Sequence, residues 1–148
     1  MKSGWIGLAL ALVLTFLLVA CSSVADYPYM KEGEPYAEAI VSAVGREWNA
    51  DELIKVTDPR MLAIASEAEI RAMIATCSVP LGRIKTQHMY LGSTGFETAI
   101  SGKVASYGIN VEGEKGTGRI KIKLQKVGEH WKVLGFWCQG QPHTTPSQ

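Results

Sequence analysis

A chain of 148 residues has room for one ordinary domain, and 15 basic against 14 acidic side chains leave it without the basic excess that a nucleic-acid binder spreads over one face. The 47% hydrophobic content is raised by the first twenty residues; the rest is long enough to bury a core without a metal or a lattice of disulfides.

Trp5 to Ala20 carries no charge and follows Lys2 and the amino terminus, the pattern of a signal peptide with a positive first segment. A spanning helix needs about 20 apolar residues, and this run stops at Cys21, Ser22 and Ser23, so 1–20 is expected to be a cleaved signal rather than a membrane span. Leu18-Val19-Ala20-Cys21 resembles the bacterial lipobox. That resemblance implies that the Cys21 thiol takes diacylglycerol, that the chain is cut just before it, and that the new amine takes a further fatty acid such as palmitate. At about 0.8 kcal/mol per buried CH₂, two or three chains make a stable anchor where one is reversible. Ser22 in place of Asp after the cysteine resembles an outer-membrane address in preference to an inner-membrane one, on the periplasmic side. Secretion with cleavage after Ala20 and no lipid is the alternative.

Ser22 to Gly33 holds Pro28 and Gly33 without apolar periodicity, so 21–33 is expected to be a short lipidated tether. A helix should open at Glu34-Pro35, with Pro in the first turn. It would bury the stripe Ala37, Ile40, Val41, Val44 and Trp48. Asp51 to Val56 predicts a short second helix, and Thr57-Asp58-Pro59 caps a third through Met61 and Leu62. Ser66-Glu67-Ala68-Glu69 has the capping-box form, and the helix after it should bury Ile70, Met73, Ile74 and Cys77 before Pro80 and Gly82 end it.

Past Gly82 the period falls from 3.6 to 2. Strands are expected at Arg83 to Leu91, Phe96 to Ile100, Lys103 to Val111, Arg119 to Val127 and Trp131 to Gln139. Turns fall at Gly92 to Gly95, Glu112 to Gly116 and Val127 to His130. In the fourth strand Ile120, Ile122 and Leu124 alternate with Arg119, Lys121, Lys123 and Gln125, so one side faces a core and the other water. Gly140 to Gln148 reads as a disordered tail. The expected architecture is therefore α+β: one domain over 34–139, its N-terminal helices packed on a curved antiparallel sheet of about four strands.

Several segments together resemble small envelope lipoproteins and periplasmic proteins of unassigned activity with a cystatin-like or nuclear-transport-factor-2-like domain. They are Tyr36-Ala37-Glu38-Ala39-Ile40 to Trp48, Leu53, Thr57-Asp58-Pro59, Leu81-Gly82, Gly118 to Leu124, and Trp131-Lys132-Val133-Leu134-Gly135-Phe136. The likeness implies a fold and no reaction. In such a fold the space between sheet and first helix can hold a small molecule, and Trp48, Tyr90, Tyr107, Trp131 and Phe136 are the candidates to line it; aromatic residues at these spacings also serve as plain core.

Chemistry beyond this is sparse. His88, His130 and His143 lie in a strand, a turn and a tail, so no metal or cofactor is expected. Gly113, Gly116 and Gly118 join two strands and introduce no helix, which removes the phosphate-loop reading. No nucleophile elbow or inward acid on a well-marked strand suggests catalysis. Once Cys21 is acylated, Cys77 and Cys138 remain, either bridged as a disulfide in an oxidising compartment or unpaired as small hydrophobes. Ser22 to Ile70 holds ten acidic residues against four basic, and Arg71 to Gln148 ten basic against four acidic, so helices and sheet are complementary in charge. The function expected is a non-enzymatic module held at the membrane, binding an envelope protein, lipid or glycan through a sheet face; the alternative is a small-molecule binder or enzyme using the inner pocket.

Overall fold

The computed structural model describes residues 22–90, 95–99 and 102–143. The signal segment, Cys21, residues 92–94 of the expected turn and the last five residues of the tail lie outside the described residues. Helices come first and antiparallel strands follow, giving an α+β fold in which N-terminal helices cover one face of an open sheet. Among the described residues no helix is long and apolar enough to cross a membrane.

Helix α1 runs Ser22–Glu47, about 39 Å at 1.5 Å per residue. The stretch expected as a tether is therefore helical from Ser22, despite Pro28 and Pro35 within it. Tertiary contacts oppose the local breakers. The Tyr29 hydroxyl donates to the Lys103 carbonyl at 2.7 Å and accepts the Lys126 backbone N–H at 2.9 Å. Its ring packs against Trp131 at 4.9 Å between centroids. Pro35 has no N–H to offer the turn before it; next to that gap, the Tyr107 hydroxyl donates to the Met30 carbonyl at 2.8 Å. Ala37, Val41 and Val44 carry the expected buried stripe onto the sheet. Trp48 leaves the helix instead of continuing that stripe, in a left-handed conformation at φ 52°, and its indole N–H donates to the Gly82 carbonyl at 2.6 Å.

Helix α2 (Ala50–Ile54) is capped by the Asn49 side chain, and α3 (Pro59–Leu62) by Asp58, with Pro at its first position. Between them the backbone of 56–58 runs along the edge of the last strand: Asp58 N–H donates to Val133 O at 2.8 Å and Val133 N–H to Val56 O at 2.9 Å. That contact covers an edge otherwise open to pairing. Helix α4 (Glu67–Leu81) opens with the reciprocal Ser66–Glu69 capping box; Ile70, Ile74, Cys77 and Leu81 are buried, and Gly82 ends it at φ 61°.

The sheet comprises β1 (Ile84–Met89), β2 (Gly95–Ala99), β3 (Gly102–Gly113), β4 (Gly116–Val127) and β5 (His130–Pro142), in the order β1-β3-β4-β5. β2 pairs with the first half of β3 and β1 with the second, so together they form one interrupted edge and the sheet is four strands wide. β5 continues three residues beyond its expected end, pairing Gly140, Gln141 and Pro142 with Gly118, Thr117 and Gly116, so the tail begins later than the sequence suggests. The expected five-residue loop between β3 and β4 is only Glu114-Lys115, whose N–H groups donate to Arg83 O and Leu81 O.

Register sets the faces. Tyr107, Ile109 and Val111 on β3 and Ile120, Ile122 and Leu124 on β4 point to the helices and are buried. Along β5 a bulge opposite Lys123/Leu124 changes the alternation: Val133 is level with Leu124, and Phe136 and Cys138 with Ile122 and Ile120. Trp131, Val133, Phe136 and Cys138 therefore share the inner face, while Gly135, Trp137 and Gln139 turn outward.

Candidate binding face

The aromatic residues expected to line one inner pocket are not brought together as one. Tyr107, Trp131 and Phe136 are buried in the core. The space between them and α1 is filled at Gly33, where an added Cβ would overlap the Tyr107 hydroxyl and come within 2.9 Å of the Trp131 ring. Burial pushes the Tyr107 hydroxyl well above its ordinary range, so it stays a neutral donor. Trp48 ties the end of α1 to the end of α4, and Tyr90 lies on the opposite side of the sheet, half exposed. All but Tyr90 serve the core and its joints.

The outer side of the sheet offers a different assembly, basic in its sequence and made into a site only by the pairing of β4 with β5. β4 turns Thr117, Arg119, Lys121 and Lys123 outward at the two-residue repeat of about 7 Å. Beside them on β5, Gln139 is level with Arg119, Trp137 with Lys121 and Gly135 with Lys123. A Cβ on Gly135 would fall within 2.6 Å of the Trp137 ring, so the indole lies across the glycine backbone, along the row of cations. Trp137 is 49% exposed, high for a side chain of its size. On the other flank the Arg119 guanidinium stands 4.8 Å from the centroid of the Tyr90 ring, and its Nε donates to Asn110 Oδ1 at 3.2 Å.

Two shallow grooves meet at Arg119 and Gln139. One, of about 440 Å³, is lined by Arg119, Lys121, Lys123, Trp137 and Gln139. The other, of about 470 Å³, carries the side chains of Thr86, His88, Asn110, Glu112, Thr117 and Gln141. The face thus joins a cationic, aromatic half to a half of amides, hydroxyls and an imidazole, with Glu112 at its far side held by Thr86 at 3.4 Å. Such a surface can stack one apolar ring face, donate hydrogen bonds to hydroxyls and pair with carboxylate or phosphate oxygens.

The outer face closes toward the start of β3, where Val104, Ser106 and Gln125 are buried. There Arg60 donates to the Gln125 side-chain oxygen and grips Asp58 through Nε at 2.7 Å and Nη2 at 3.0 Å. This guanidinium holds the Asp58 carboxyl below the usual carboxylate range. The arrangement is a helix cap and an ion pair, and it bounds the open face.

Cys77 and Cys138 come together where α4 lies on β5, both as free thiols. The neighbouring Cys138 favours the Cys77 thiolate, and Cys77 together with burial raises the Cys138 thiol above the ordinary range. Among the described residues no group of three or more His, Cys, Asp or Glu side chains is arranged to hold a metal ion. Comparison with protein-family models, with curated proteins and with solved structures gives no match for the chain.

Proposed function

We propose that this chain is a lipid-anchored protein of the bacterial envelope that binds an acidic glycan on the outer face of its sheet, and that it acts as a binding module rather than an enzyme. The carrying observation is Trp137, laid across Gly135 beside Arg119, Lys121 and Lys123 and continuous with a row of amides and hydroxyls. An indole of that posture stacks on the C–H face of a sugar ring; the cations pair with its acid groups; the amide row takes its hydroxyls. A protein partner is less well matched, because stable interfaces centre on several apolar anchors, and among the described residues this face offers Trp137 and a Tyr90 ring already covered by Arg119. The near-balance of charge over the whole chain favours a discrete acidic ligand over nucleic acid.

The anchor reading rests on Leu18-Val19-Ala20-Cys21, with Cys21 acylated and the protein facing the periplasm from the outer membrane. Helix α1 starting at Ser22 supports a domain held close to the bilayer, since no flexible spacer intervenes between that residue and the fold. The long helix laid across an antiparallel sheet is consistent with a cystatin-like or nuclear-transport-factor-2-like arrangement.

Calorimetric titration with an oligogalacturonate as the acidic probe, and with a maltooligosaccharide of equal length as the neutral one, tests the reading. Binding of the acidic probe alone is expected, weakening tenfold or more in Lys121→Glu/Lys123→Glu and with rising salt. Equal binding of both probes, or none of either, overturns it.

A further inference from the structure

We propose that Cys77 and Cys138 are a site of covalent modification, joined by a disulfide that fastens α4 to β5.

The geometry that puts them together follows from two glycines. Leu81, the last residue of α4, sits on the β4–β5 pair: a Cβ at Gly140 would lie 2.8 Å from Leu81 Cγ, and one at Gly118, its neighbour across the ladder, 2.9 Å from Leu81 Cδ2. One helical turn back from Leu81 is Cys77, a step of about 6 Å. Two residues back from Gly140 on the same face of β5 is Cys138, a step of about 7 Å. With Leu81 beside Gly140 and Cys77 beside Cys138, helix and strand run the same way here with nearly equal steps. Both are free thiols in this structure, Cys77 buried and Cys138 partly so, and they lie close enough to shift each other's ionisation. Absence of a third metal-ligating side chain around them among the described residues leaves the pair without a metal-site reading.

Bond formation is a thiol–disulfide exchange with an external disulfide, carried by an oxidoreductase protein or by glutathione disulfide. One thiolate of the pair attacks a sulfur of that disulfide, forming a mixed disulfide and releasing one oxidant thiolate. The second thiolate of the pair then attacks the mixed disulfide at the first cysteine's sulfur, expelling the other oxidant thiol. Two electrons pass to the oxidant, which ends as two thiols with the protons the cysteines gave up. Because Cys77 is buried in the folded domain, the first exchange takes place while α4 is still off the sheet.

The bond would close a loop of about 60 residues, spanning β1, β2, β3 and β4, and tie the helical layer to the far strand of the sheet. It is independent of the ligand read for the outer face.

The wild-type chain, expressed with its own signal in a bacterial host, is quenched in acid and alkylated with N-ethylmaleimide under denaturing conditions without reductant. Peptide mass spectrometry is expected to find the Cys77 and Cys138 peptides linked, two hydrogens lighter than their sum, and alkylated only after reduction. Recovery of both peptides carrying maleimide before reduction overturns the proposal. On the purified protein, reductant should lower the melting temperature by on the order of 10 °C, with no such change in Cys77→Ser/Cys138→Ser. An equal response of wild type and double variant counts against the bond.

Discussion

Gly33→Ala separates a docked α1 from a free tether by the sign of its effect. In an exposed helix, Gly to Ala stabilises by about 1 kcal/mol; in a flexible segment it does next to nothing. Here Gly33 is buried, and the new methyl would overlap the Tyr107 hydroxyl and press on the Trp131 ring. Overpacking of that kind costs about 1–3 kcal/mol. Displacing the Tyr107 hydroxyl also endangers its 2.8 Å bond to Met30 O, a further 0.5–1.5 kcal/mol or so. Set against the helix gain, the substitution should destabilise the protein by about 1–3 kcal/mol, read as a lower urea midpoint with unchanged slope. In a Tyr107→Phe background the same change should cost less, since the hydroxyl it meets is gone, and a double-mutant cycle measures the difference. Unchanged or raised stability of Gly33→Ala would refute the docking of this stretch.

Asp58→Ala should cost about 1–2 kcal/mol, mostly through the lost helix cap, since Arg60 is half exposed and can be solvated when its carboxylate is gone, as measured by urea unfolding. The carboxyl is depressed below its unfolded value of about 4, so its contribution is whole above that pH and is lost as pH falls through the folded value; Asp58→Asn should flatten this part of an acid-unfolding curve. Trp48→Phe should lose about 1 kcal/mol with the indole bond to Gly82 O, and thermal melts would show it. Gly135→Ala should leave the fold within about 1 kcal/mol of wild type, yet weaken the acidic probe roughly five- to thirtyfold by lifting the Trp137 ring off the sheet; titration calorimetry checks this.

Much of this fold can be read from local signals. The alternation of β4 marks its two faces, Ser66 and Glu69 announce α4, and Ala37, Val41 and Val44 trace the stripe of α1. What local signals miss is decided by distant contacts. Pro28, Gly33 and Pro35 argue against helix, and only the strands that meet Tyr29 and Met30 reverse that argument. The binding face is hidden by one extra residue. Unbroken alternation from Trp131 would send Trp137 inward and Phe136 outward, but the bulge at 134 exchanges them, and no composition signal in Val133-Leu134-Gly135 announces it. Tyr90 is misread for a related reason, since its side depends on pairing level with Gly108 and not on its own neighbours in the chain.

The most direct test of the central claim is a two-dimensional amide NMR titration of the ¹⁵N-labelled protein with the acidic oligosaccharide. Shift changes centred on residues 119–123 and 137–139, together with the Trp137 indole N–H, are the predicted result. Changes centred on α1 or α4, or a spectrum that does not move at millimolar probe, would contradict it.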